Sequence, residues 1–265
     1  MKPVAFDYAR PATVGEAVKL LAATPGAKVL AGGQTLGPML NLRLAQPPLL
    51  VDITRIAELA AVEARRDDVT LGAIVTHAAI EDRRIPDATG GFLARVASGI
   101  AYRAVRTRGT IGGSLAHADP AADWLSCLCA LDAEVVIAGS GGNRHVPVAR
   151  FVRGAMDTEV GDAELVCAVR IPRFSPGAQF GFHKICRKTG EFADAIGVAA
   201  LDRERAVVRL AASTAVGAPV VLESPGVPDA AAIPDRLRAA GFTGDDYDLT
   251  LACVALRRAL AQAAA

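Results

Sequence analysis

No apolar run in the 265-residue chain approaches the ~18 residues that span a bilayer, although 52% of its residues are hydrophobic. The opening MKPVAFDYAR lacks the basic-then-apolar order of a secretory signal, so a cytoplasmic protein without a membrane span is the expectation. Lysine is scarce, at five of the 29 basic residues, and the formal charge is only +1. Without a basic block, a nucleic-acid partner has no electrostatic support. The five cysteines, at 127, 129, 167, 186 and 253, show no CxxC spacing, which argues against a disulfide framework, a zinc site or an iron–sulfur cluster. Cys127 and Cys129 lie in an apolar helical stretch and read as core packing, because buried free cysteine behaves as a small hydrophobe. Internal repeats and low-complexity segments are missing as well.

What is present has room for two or three small domains. Residues 1–55 alternate helix and strand. Thr13 and Glu16 form a T-x-x-E capping box, KVLAGG (28–33) is a strand running into glycines, 34–45 reads as a helix and LLVDI (49–53) as a strand. That βαβ-like order predicts a small parallel sheet. Over 56–175 a hairpin is expected around Asp67-Asp68, a helix capped by Thr76, a second helix near 90–100, and strands at 133–139 and 164–172. TIGGS (110–114) reads as a strand end breaking into a glycine turn, and Asp119-Pro120 as the start of a helix. In 176–265, segments 178–188, 195–202 and 206–215 predict a three-stranded antiparallel sheet, followed by helices near 229–240 and 245–263.

The sharpest features are the two Gly-Gly pairs, in AGGQTL (31–36) and TIGGS (110–114). Glycine lets backbone N–H groups approach an anion with no Cβ in the way, and a following helix adds the positive end of its dipole. Two such loops face to face would grip a diphosphate, with Gln34, Thr35, Thr110 and Ser114 adding side-chain hydrogen bonds. Gly112 and Gly113 are expected to aim their N–H groups at phosphate from a positive-φ backbone. Equally, a Gly-Gly pair is an ordinary turn, and neither loop matches a Rossmann or P-loop pattern.

The flanking residues carry a resemblance. KVLAGGQTLGPMLNLRLAQPPLLVDI (28–53), VRTRGTIGGSLAHADPAADW (105–124) and FHKICRKTGEFADAIGVAA (182–200) resemble, in order, three signatures of the FAD-binding medium subunits of molybdenum hydroxylases, the family that includes carbon monoxide and xanthine dehydrogenases. LGAIVTHAAIE (71–81) and ELVCAVRIP (164–172) match in character. The resemblance implies an α+β fold: a two-part FAD-binding region of the vanillyl-alcohol-oxidase (PCMH) type, residues 1–55 and 56–175, then a small C-terminal α+β domain over 176–265. It implies cofactor contacts at Val29, Leu30, Ala31, Gly32, Gly33, Gln34, Thr35 and Leu36, and at Thr110, Ile111, Gly112, Gly113 and Ser114. Asp123 matches a residue at the adenosine portion and Lys184 one on the flavin side, with Ile100 and Val166 as apolar contacts and Thr76 and His77 nearby.

Two of these have plainer explanations alongside. An acid at Asp123 suits the first turn of a helix through the dipole, and Lys184 fits one solvated strand face beside His183 and Arg187. Thr107 and Glu191 stand where Asn and Asp are commoner, and 188–196 reads as one residue longer than in many relatives, which puts the ring contacts and the acceptor in question. The resemblance further implies a relay without catalytic residues of its own. FAD would be bound here, while the molybdenum cofactor and [2Fe–2S] clusters would sit on large and small partner subunits. Rival readings are a self-contained flavin oxidoreductase and a nucleotide-binding module that carries no electrons.

Overall fold

Thr13 opens the first helix as its spacing predicts: the hydroxyl accepts from the Glu16 N–H at 3.2 Å, while the Glu16 carboxylate accepts from the Ala12 N–H at 2.7 Å. The structure, a computed structural model, describes residues 2–265. Strands β1 (Asp7–Ala9), β2 (Lys28–Leu30) and β3 (Leu49–Asp52) lie parallel in the order β1-β3-β2, joined by helices α1 (Val14–Ala23) and α2 (Leu36–Asn41). Every residue of β3 is buried, and α1 turns Ala17, Val18 and Leu21 inward. Their cluster includes Val136, Ala138 and Leu165 of the next sheet. Helix α2 is shorter than the expected 34–45. Gln34 and Thr35 form a turn before it, and Arg43, at φ 59°, takes the chain into the left-handed region soon after its end.

The middle of the chain runs through α3 (Ala57–Ala60), β4 (Val62–Ala64), β5 (Asp68–Gly72), α4 (His77–Glu81), α5 (Phe92–Ser98), α6 (Arg103–Arg106), α7 (Ile111–His117) and α8 (Asp123–Ala130). It then continues through β6 (Glu134–Gly139), β7 (Gly142–Pro147), α9 (Val148–Phe151), the short β8 (Val152–Gly154) and β9 (Asp157–Thr158), and β10 (Leu165–Pro172). Five of these strands form an antiparallel sheet in the order β4-β5-β10-β6-β7. All eight residues of α8 are buried. Cys127 and Cys129 sit among them as core, and burial pushes the Cys129 thiol up to about 12.

Two local expectations are corrected. The helix expected from Asp119-Pro120 starts at Asp123, because Ala122 is extended (φ −81°, ψ 139°). Asp119 instead accepts from the Ala121 N–H at 2.9 Å, the short-range bond by which aspartate competes with helix formation. TIGGS is no strand-end turn. Thr110 caps α7, and its glycines occupy the first helical turn outside the positive-φ region.

The C-terminal sheet is antiparallel in the order β11 (Gln179–Ile185), β12 (Ala195–Asp202), β13 (Val207–Thr214), β14 (Val220–Glu223). The three expected strands are joined by a fourth, whose four residues are too few to show a period. Helices α10 (Ile233–Ala239) and α11 (Asp246–Ala264) follow. β12 is buried on both faces. Ile196, Val198 and Ala200 join the main core, whereas Ala199 and Leu201 join the core under α11, the period of two that a strand dictates. A Cβ on Gly181 or Gly197 would stand 1.7 or 2.3 Å from α11 backbone atoms, so glycine lets this helix lie directly on the sheet. Among the described residues, no helix is long and apolar enough to cross a membrane.

Candidate functional site

At the end of β2, residues 31–35 leave the sheet as an open loop. Gly33 turns it at φ 72°, a conformation natural to glycine. Gly37 N–H donates to the Gly33 carbonyl at 2.9 Å and Met39 N–H to that of Thr35 at 3.2 Å, starting α2. Among the described residues, the N–H groups of Gly32, Gly33, Gln34 and Thr35 have no acceptor in the chain, and the Thr35 side chain makes no cap. Gln34 and Thr35 are exposed. A row of unpaired backbone donors on a glycine bend is an anion cradle.

The second loop has fewer N–H donors to spare. Four of its five N–H groups are committed internally: Ile111 to the Val75 carbonyl, Gly112 to that of Ala73, Ser114 to that of Thr110, and Gly113 to the Thr110 hydroxyl at 3.1 Å. Glycine is required at 112 for packing, since a Cβ would lie 2.5 Å from that of Ala73. The loop shapes the cradle instead. A Cβ on Gly32 would fall 1.9 Å from the Arg108 carbonyl oxygen, and one on Gly113 lies 4.0 Å from Ala31. Arg108 Nε donates to the Gly32 carbonyl at 3.3 Å. The two Gly-Gly segments are therefore in contact, with Gly113 exposed and Ser114 half-buried beside the cradle.

Thr76 caps α4 as expected, accepting from the Ala79 N–H at 3.2 Å. His77 is buried at 5% exposure, and Trp124 Nε1 donates to its Nδ1 at 3.1 Å, which leaves Nε2 to carry the ring proton. The ring lies against Gly109, where a Cβ would meet it at 2.9 Å. Burial, aided by Arg106, lowers the His77 pKa to about 4. A base whose folded pKa lies below its unfolded value contributes stability that is complete above about pH 6.5, lost as pH falls towards 4 and flat below. That difference amounts to roughly 3 kcal/mol. Urea unfolding across this window should show wild type losing about that much more than His77→Gln, which cannot titrate. Equal pH slopes would contradict a neutral buried His77.

Asp123 and Lys184, implied to touch different parts of a cofactor, meet each other. Lys184 Nζ lies 3.1 Å from Asp123 Oδ1 and 3.2 Å from Oδ2, with side-chain exposures of 10% and 5%. The solvated-face reading of Lys184 is thus replaced by a buried ion pair joining α8 to β11. Burial raises the Asp123 pKa, and the Lys184 ammonium opposes that rise. Beyond β11, the hairpin loop lines a groove of about 370 Å³ with Arg187, Gly190, Glu191, Phe192 and Asp194. Phe192 is 66% exposed. The loop is docked on the preceding unit through the Ala193 N–H, which donates to the Ala121 carbonyl at 3.3 Å. Ile100 is half-buried near this loop's contact with Ala101, whereas Val166 is 6% exposed in the main core, where packing accounts for it. Thr107 is exposed, its hydroxyl bonded to the Ala104 carbonyl at 2.7 Å.

Residues 4–174 match the family described as the FAD binding domain in molybdopterin dehydrogenase. The chain belongs to this family. It is 40% identical to the carbon monoxide dehydrogenase medium chain of Hydrogenophaga pseudoflava, over 74% of this chain and 68% of that one. It is 35% identical to the caffeine dehydrogenase subunit beta of a Pseudomonas species, over 80% and 73%. A solved structure of the H. pseudoflava carbon monoxide dehydrogenase contains a chain that superposes with a TM-score of 0.87 at 32% identity, covering 99% of this chain and 98% of that one. The fold is therefore the PCMH-type FAD-binding architecture with a C-terminal antiparallel sheet, and the protein is a medium, FAD-binding subunit of the molybdenum hydroxylase family.

The residues present fit FAD. An open row of N–H donors suits a diphosphate, and an exposed aromatic beside a groove suits a planar ring. Sequence reasoning missed Arg108 and Gly109 as the bridge between loops, the Trp124–His77 bond and exposed Phe192. Only Gly109, next to TIGG, carried a readable signal.

Proposed function

We propose that this chain conducts electrons between the [2Fe–2S] clusters of a small partner subunit and an acceptor, in a complex whose large subunit carries the molybdenum cofactor and transforms the substrate. The contact of the 31–36 loop with 108–113 carries this reading, because beside it lies a row of N–H donors without an acceptor in the chain, which suits a diphosphate. Bound FAD supplies the redox chemistry. The chain's residues bind and orient. The N–H groups of Gly32, Gly33, Gln34 and Thr35 hold the diphosphate, Ser114 and the Gln34 and Thr35 side chains add polar contacts, and Val29, Leu30, Ala31, Leu36 and Ile111 shape the floor. Asp123 and Lys184, paired with each other at 3.1 Å, serve the site together by tying α8 to β11, and the Arg187–Asp194 loop lies towards the ring. Domain limits at 55 and 175 follow the change of sheet, with both FAD-binding parts contributing to the interface in a heterotrimer or its dimer located in the cytoplasm. Relatives named for two substrates as unlike as carbon monoxide and caffeine support a substrate site outside this subunit.

Acid precipitation of the purified chain should release one FAD into the supernatant. Flavin held in the pellet would contradict non-covalent binding. Release of FMN, which has no diphosphate, would contradict the cradle.

A further inference from the structure

Ala101 has a φ of 42°, a left-handed backbone that strains a residue carrying a Cβ. A buried guanidinium holds it there. Arg106, 9% exposed, donates from Nη1 to the carbonyls of Ile100 at 2.8 Å and Ala101 at 3.0 Å. The rest of the group is taken by Glu81, with Nε to Oε2 at 2.8 Å and Nη2 to Oε1 at 2.9 Å. This bidentate pairing leaves the guanidinium plane no freedom to turn. Gly190 meets the same Ala101 carbonyl. At φ 88° it sits so close that a Cβ would stand 2.8 Å from the oxygen. Gly190 belongs to the loop that carries Glu191 and Phe192 along the groove.

We propose that Arg106, fixed by Glu81, is a positioning residue for the flavin: it sets the Ile100–Ala101 ledge on which the Gly190–Phe192 loop rests, and so the environment of the ring. The inference rests on the proposed placement of FAD. A guanidinium that merely tied α6 to α4 would contribute stability and leave the ring untouched, so the test reads the ring. Lysine cannot reproduce four planar donations and restores only part of the arrangement.

The complete chain is loaded with FAD, and the visible absorption of the flavin and iodide quenching of its fluorescence are compared across variants. Arg106→Met should shift the absorption band and raise the quenching constant several-fold, while FAD affinity stays within the same order because the diphosphate cradle is intact. Arg106→Lys should fall between. Gly190→Ala, which pushes on the ledge from its other side, should reproduce the shift with Arg106 in place, and serves alone if Arg106→Met does not fold. The double variant should be no worse than the stronger single one, since both act through one carbonyl. A wild-type spectrum and quenching in Arg106→Met, whatever its melting temperature, would overturn the inference, as would additive effects in the double variant. Should Arg106→Met not fold, an unchanged ring in Gly190→Ala overturns it equally. Wild type that takes up no FAD overturns the functional reading and this inference together; wild type that binds FAD, beside an Arg106→Met ring that is unaltered, overturns this inference alone.

Discussion

Gly32→Val should lose FAD while the chain remains folded. The added Cβ would stand 1.9 Å from the Arg108 carbonyl oxygen and 2.6 Å from its carbon, both backbone atoms that cannot swing aside. The 31–36 loop must then lift from 108–113, an overpacking strain of about 1–3 kcal/mol borne by a surface loop with few other ties. The larger effect falls on binding. Loss of two charge-assisted hydrogen bonds to the diphosphate, each about 1.5–3 kcal/mol, weakens affinity by roughly 10²- to 10⁴-fold. Gly15→Ala in α1, where a Cβ meets nothing within 4 Å, is the matched control and should bind as wild type does. Fluorescence titration with FAD measures both. Wild-type affinity in a folded Gly32→Val variant would mean that loop contact has no part in holding the cofactor.

Lys184→Met should have the second largest effect, on stability. It leaves Asp123, 5% exposed, without its ammonium partner. Breaking a buried pair on one side costs about 3–5 kcal/mol. The pH dependence identifies the cause. Burial already raises the Asp123 pKa, and removing Lys184 raises it further. A carboxyl whose folded pKa exceeds its unfolded value binds more protons folded than unfolded, so stability falls as pH rises from the unfolded pKa towards the folded one. The deficit of Lys184→Met against wild type should therefore be small near pH 4 and grow towards neutrality. Adding Asp123→Asn should restore much of the loss by removing the stranded charge. A deficit independent of pH, or no rescue by the double variant, would assign Lys184 a packing role only.

Much of the fold was legible because its signals are local. The T-x-x-E box, the Thr76 cap, the Asp67-Asp68 turn and the apolar run at 195–202 each report on their own few residues. Elements failed where a neighbour decided the outcome. Thr110 and Asp119 are both plausible helix caps; Thr110 opens a helix where residues 73–77 bond to 109–112 through the Thr76–Thr110 bridge, whereas Asp119 closes a turn. The site was legible as two glycine loops but not in its division of labour. Which loop has N–H groups to spare depends on whether Ala73 and Val75, in the turn after β5, approach it, and nothing within TIGGS records that. Asp123 and Lys184 lie 61 residues apart, so their pairing is a property of how β11 meets α8.

The most direct test of the relay role compares flavin reduction with and without partners. The chain co-expressed with its small and large subunits should elute as one complex in high salt, since an apolar interface is little screened. Anaerobic addition of that complex's substrate should bleach its FAD absorbance, whereas the FAD-loaded chain alone should stay oxidised with the same substrate. Rapid bleaching in the isolated chain would show that it oxidises a small molecule by itself, contradicting an electron relay fed through a partner subunit.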